Sequence, residues 1–169
     1  MHIIGEIKKW MNRVAEWLCI IMFAIMVCLV TFQVIVRYVF NAPNPYTEAL
    51  SQYLFVWMIL ICGAYVFGSR EHMNITFLIH KLSKKGQIII AMVTEFICMV
   101  FGATVMAYGG WVKAMQQMRQ MDPALHIPKG VIYLAIPVSG ALIVIYTIFN
   151  EIMLVRQLKD LKSNAKEAV

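Results

Sequence analysis

Few side chains in this sequence have the type and spacing that chemistry needs. The four histidines are His2, His72, His80 and His126, and none falls within a long apolar run. Haem ligation in a membrane bundle needs imidazoles inside the helices, so that chemistry is not expected. The four cysteines (Cys19, Cys28, Cys62 and Cys98) all fall inside apolar runs, and no pair has zinc-site spacing. They read as small hydrophobes in a packed bundle. No glycine-rich phosphate loop and no nucleophile motif is present. The expectation is therefore no catalytic residue, no cofactor and no metal site, hence no enzyme.

Glu95 is the exception. It interrupts an apolar run about ten residues past Lys85, roughly 15 Å along a helix. An acid near mid-membrane costs about 2.5–3.5 kcal/mol on insertion scales, so it must be protonated, paired or turned to a polar interior. Two roles are open to it. It could couple ions or protons, as in small multidrug exporters, or it could bond a neighbouring helix of this chain or a partner. A lone carboxylate makes a poor relay.

The elements that position these residues follow from composition. The chain has 169 residues, 61% hydrophobic and 14% charged, against roughly 45–50% and 25% in soluble domains. Mean hydropathy is +0.72. A soluble domain of this size could not hide so much apolar surface. Stretches 17–36, 49–69 and 130–150 lack Asp, Glu, Lys and Arg, and 86–112 is broken by Glu95 alone. A bilayer core of about 30 Å needs roughly 20 helical residues, and each stretch meets that. Backbone groups in lipid must bond internally, which makes these helices, and no strand-like alternation suggests a barrel. The fold class is an all-α integral membrane protein forming one domain, residues 1–169. Four transmembrane helices are expected at about 17–36, 49–69, 87–110 and 130–150. The first is too long for a signal peptide and lacks a small-residue cleavage site, so it is expected to be retained.

Ile3, Ile7, Trp10, Met11 and Val14 recur at helical spacing in residues 1–16, with Glu6, Lys8, Lys9 and Arg13 on other faces. This predicts an amphipathic interfacial helix that then turns into the bilayer. Lys and Arg fix the orientation. The N-terminal segment, the loop after span two and the tail at 151–169 carry eleven of them, and the two opposite loops carry four. Both termini are expected in the cytoplasm. The net charge of +6 then reflects topology and anionic lipid, which leaves no case for nucleic acid as a partner.

The first external loop contains Asn41, Pro43, Asn44 and Pro45, all turn formers. Thr47 is expected to cap the second helix, with Glu48 at its positive end and Arg37 on the same membrane face, in reach of Glu48. In the second external loop Met115, Met118 and Met121 suggest a helical extension of span three, ended by Asp122-Pro123. Pro137 should kink span four. Ala103 with Ala107, and Ala135 with Ser139, are small pairs where helices can approach.

The run QVIVRYVFNAPNPYTE at 33–48 resembles the signature of the small, Q-type (DctQ-like) membrane subunit of tripartite ATP-independent periplasmic (TRAP) transporters. YLFVW at 53–57, Gly63-Ala64, then Arg70, His72 and Ile75 fit its second helix and the loop after it. ALHIP at 124–128, with Tyr133, Ala135 and Pro137, fits the entry to its fourth helix. The resemblance covers roughly residues 14–158, and its order and spacing on four spans carry it. Tyr46 stands where the family usually has Trp, and Ala49 where a second Glu often follows. The resemblance implies a three-part uptake system of the bacterial inner membrane. A periplasmic binding protein captures an organic acid, such as a C4-dicarboxylate or sialic acid. A large polytopic subunit moves it by a sodium-driven, elevator-like motion. The small subunit binds the large one and does not line the pathway.

On this reading the chain braces the large subunit in the lipid. Arg37, Glu48, Arg70 and Glu95 are candidate polar contacts, between subunits or within this one. Lys113 and Arg119 are candidate contacts for the binding protein. Arg37 and Arg70 could equally snorkel at helix ends, and Glu48 could only cap. The rivals are a self-sufficient four-helix exporter using Glu95, though that class carries its acid in the first span, and an unrelated tetraspan assembly factor.

Overall fold

The computed structural model describes residues 2–69 and 84–167. Helix α1 (His2–Tyr38) is followed by α2 (Pro45–Ser69), α3 (Lys84–Phe101), a π-helical segment (Gly102–Gly109), α4 (Gly110–Gln117), α5 (Gly130–Tyr133) and α6 (Ala135–Glu167). Four helices are long and apolar enough to cross a membrane: Glu6–Tyr38, Pro45–Ser69, Gly86–Gln117 and Gly130–Lys159.

The amphipathic start and the first span share one helix. No proline falls between residues 2 and 38 to break it, and α1 runs unbroken through residues 16 and 17. It ends where Asn41 takes a left-handed φ of 49°, which Asn tolerates better than other residues with a Cβ. The Ala42 N–H there reaches back to the Val36 carbonyl at 3.3 Å. Pro45 then opens α2 at the first helical position, where its missing N–H and fixed φ cost nothing. The cap is Asn44 rather than the expected Thr47. Asn44 Oδ1 accepts the Tyr46 N–H at 3.0 Å, and Thr47 Oγ1 donates to the Asn44 carbonyl at 2.9 Å. Asn44 wins because it precedes Pro45 directly, the place a capping oxygen needs to reach the second helical N–H.

Span three carries a feature that periodicity did not foresee. Residues 102–109 are wound as a π-helix between two α-helical stretches. In an ordinary α-helix, with 3.6 residues per turn, residue 110 lies about 80° round from residue 102. Here Gly102, Gly110 and Ala114 are nonetheless all buried. They meet span four. A Cβ on Gly110 would stand 2.8 Å from Ile136 Cγ2, and one on Gly102 would stand 3.3 Å from Ile143 Cγ2. From the other side, a Cβ on Gly140 would come within 2.7 Å of the Ala107 backbone N. The close approach thus uses glycines, with Ala107 only as backbone, while Ala103 is exposed. Ala135 and Ser139 are fully buried, as close helix approach requires.

Span four is divided into α5 and α6 by a single turn residue, Leu134, three residues before Pro137, while the Leu134 N–H still bonds Gly130 O at 2.9 Å and the Val138 N–H bonds Leu134 O at 3.2 Å. Trp57 of α2 donates its indole N–H to the Val131 carbonyl of α5 at 3.2 Å. Helix α6 is the centre of the bundle, packed by α2, α3 and the π segment, whereas α1 packs mainly on α2.

Candidate functional site

Polar side chains inside the spans decide whether anything can pass through this chain. Most hydroxyls bond their own helix. Thr104 Oγ1 donates to Val100 O at 2.7 Å, Ser139 Oγ to Ile136 O at 2.9 Å, and Thr147 Oγ1 to Ile143 O at 3.0 Å. Those three hydroxyls are spent within their own helices. Grooves between helices, such as the one lined by Ile59, Gly63, Phe67, Ile97, Phe101 and Ile143, are apolar. Among the described residues there is no group of three or more His, Cys, Asp or Glu that could hold a metal ion.

Glu95 is 1% exposed, and its neighbour across the bundle is Asn150, fully buried on α6. Asn150 Nδ2 donates to Glu95 Oε1 at 2.9 Å. On its other side Asn150 Oδ1 accepts from Lys8 Nζ of α1 at 2.6 Å. The three residues come from the start of α1, the first half of span three and the middle of α6, which a four-pass topology places on one side of the membrane. Sequence reasoning passed over Asn150 as the last residue of an uncharged run, and over Lys8 as an orientation charge. A signal was present, however. Ser139, Tyr146, Thr147 and Asn150 fall at helical spacing on span four, and all four are buried to 1% exposure or less. A polar stripe on a lipid-length helix marks its inward face.

The other candidates are spread apart. Arg37, near the end of α1, and Glu48, in the first turn of α2, are both exposed. No ion pair joins them, although they share a membrane face. Lys113 and Arg119 are exposed at the far end of span three. Arg70 lies outside the described residues, as do His72 and His80. Of the methionine stripe, Met115 and Met121 are exposed, and Met118 lies against Gly130.

The loop between spans three and four is a closed turn. Met121 and Pro128 face each other in a single β-bridge, and Lys129 N–H bonds to Gln120 O at 2.8 Å. Asp122 Oδ1 accepts the N–H groups of Leu125 (3.0 Å) and Ala124 (2.9 Å). The Leu125 N–H, aided by that of Ala124 and the charge of Lys129, holds the Asp122 carboxyl below the usual range. His126 closes the turn with φ 54°. This arrangement fixes the loop and offers no reactive group.

Comparison with known proteins agrees with this inventory. The DctQ component family of tripartite ATP-independent periplasmic transporters matches residues 26–158. A TRAP transporter small permease protein of Haemophilus influenzae is 31% identical over 138 residues, covering 82% of this chain and 85% of that protein. The sialic acid TRAP transporter small permease protein SiaQ of Vibrio cholerae is 26% identical over 103 residues, 61% of this chain and 60% of its own length. The isethionate TRAP transporter permease protein DctMQ of Oleidesulfovibrio alaskensis is 25% identical over 145 residues, which is 82% of this chain but 21% of that protein.

Proposed function

Because this chain belongs to the DctQ family, as the small permease subunit of a TRAP transporter, we propose that it braces the large transport subunit in the bilayer without lining the solute path. It is a multi-pass protein of the bacterial inner membrane and not an enzyme. The observation that carries the brace reading is the state of its interior. The Ser139 and Thr147 hydroxyls bond their own helix, and the buried Glu95 bonds Asn150 of the same chain. An elevator needs one part held still while another slides. A layer of long helices around the still part widens its grip on the lipid. Contact between such helices rests on close packing and a few polar bonds, since lipid gives them little hydrophobic drive.

In this reading both termini face the cytoplasm, supported by the Lys and Arg asymmetry. The solute is an organic acid delivered by a periplasmic binding protein and drawn in by a sodium gradient. The SiaQ relative speaks for sialic acid, and the isethionate relative widens the class to sulfonates. The DctMQ relative, in which the matching stretch is about a fifth of one long polypeptide, supports a large subunit as the neighbour of this one. Arg37, Glu48 and Arg70 are the proposed contacts with that subunit. Lys113 and Arg119 are the proposed contacts with the binding protein.

The test is reconstitution. Co-expressed with a large TRAP subunit and purified in mild detergent, the tagged chain brings that subunit with it. In vesicles by itself it carries neither sialic acid nor a C4-dicarboxylate. Solute uptake by the chain alone overturns the proposal. Charge reversal at Lys113 and Arg119 slows uptake at limiting binding protein, and unchanged uptake removes those two residues from the interface.

A further inference from the structure

The amphipathic start of α1 has little packing against α6, yet its Lys8 reaches an amide buried in the bundle. We infer that Asn150 is the positioning residue of a three-helix clasp, its amide joining Lys8 of α1 to Glu95 of α3, and that this clasp sets where the first turns of α1 lie on the bundle. The inference does not depend on the identity of the transported solute or of any partner.

The chemistry of the three groups supports it. An ammonium has only donors and a carboxylate only acceptors. A side-chain amide has one acceptor and one donor end, so it is the neutral group that bonds both at once. Asn150 does this with Oδ1 toward Lys8 at 2.6 Å and Nδ2 toward Glu95 at 2.9 Å. An ionised Lys8 and an ionised Glu95 joined through one neutral amide would cancel in charge, which is what burial at lipid depth requires. The seam just beyond it, where Trp10, Met11, Val14 and Leu18 face Ile61 and Tyr146, is apolar and incompletely filled. An apolar seam sets no unique register for the start of α1 against α6, and the Lys8–Asn150 bond supplies a directional one.

The test uses amide hydrogen exchange of residues 6–16 in the purified full-length chain, with residues 45–69 as the internal control. Asn150→Leu and Lys8→Ala each speed exchange at 6–16 about tenfold and leave 45–69 unchanged. Asn150→Asp does the same, because the donor toward Glu95 is lost and the repulsion between two carboxylates there displaces the residue-150 side chain that Lys8 meets. Glu95→Gln alone changes exchange less than about threefold, since its amide oxygen still accepts from Asn150. The decisive variant combines Asn150→Asp with Glu95→Gln. It exchanges carboxylate and amide between two isosteric pairs, keeps the net charge and both bonds, and returns exchange to within about threefold of the parent. The proposal is overturned if Asn150→Leu and Lys8→Ala leave residues 6–16 unchanged, or if Glu95→Gln fails to restore Asn150→Asp. Should Asn150→Asp alone fail to insert, the double variant and Lys8→Ala still decide the matter.

Discussion

The first and fourth spans have similar hydropathy, 2.8 and 2.2, and opposite surroundings. None of the first span's most apolar window is buried inside the chain, against 33% of the fourth's. Ile20, Ile21, Phe23 and Phe32 of α1 are each about half exposed, while Ser139, Tyr146, Thr147 and Asn150 of α6 are enclosed. The more apolar helix is thus the outer one. In water that order would be reversed. In a bilayer, apolar side chains gain nothing by leaving lipid, so the centre goes to the helix with glycines for close approach and polar groups to bond.

This contrast can be broken by mutation. The largest effect is expected at Gly140, where a side chain would meet the backbone of residue 107. Gly140→Leu should cost about 3 kcal/mol through overpacking. Ile20→Ala, on the outer face of α1, should stay within about 0.5 kcal/mol. Unfolding of the isolated subunit in mild detergent measures both, and equal losses would erase the distinction between the two helices. Next, Trp57→Phe should cost about 1 kcal/mol by leaving the Val131 carbonyl without its indole donor. At the corner that joins α1 to the bundle, Asn44→Ala should cost about 1 kcal/mol as a lost cap, and Thr47→Ala measurably less. A larger loss at Thr47 would return the cap to that residue.

The smallest effect concerns pH at the loop leading into span four. The Asp122 carboxyl is lowered first by the Leu125 N–H, so its ionised form favours the folded turn. That contribution is fully present above the ordinary carboxylate value near 3.9 and is lost as pH falls through the lowered one. Thermal unfolding of the parent should weaken only below about pH 4, and Asp122→Asn should flatten that slope. A parent chain that loses stability between pH 7 and 5 would point to another group.

How much of this was legible beforehand differs from residue to residue. The Asn41–Pro45 turn was readable, because proline and asparagine act on the backbone within a few residues. The π-helical segment was not. It accompanies the packing of Gly102 and Gly110 against Ile143 and Ile136, which lie in another helix. Arg37 and Glu48 share a membrane face in both readings, yet topology alone does not make an ion pair, and exposed side chains gain little by forming one. Glu95 announced itself as a cost. Its partner Asn150 lies 55 residues away and Lys8 lies 142 residues from Asn150, so no local pattern linked them.

The sequence by itself determined that this chain lives in lipid, crosses it four times as helices and belongs with the TRAP small subunits, because hydropathy, turn chemistry and motif order are local properties. The tertiary structure alone decided which span is central, which glycines touch and which amide holds Glu95. Those outcomes depend on which faces meet, and in lipid, packing and polar bonding set that choice where hydrophobicity is nearly indifferent.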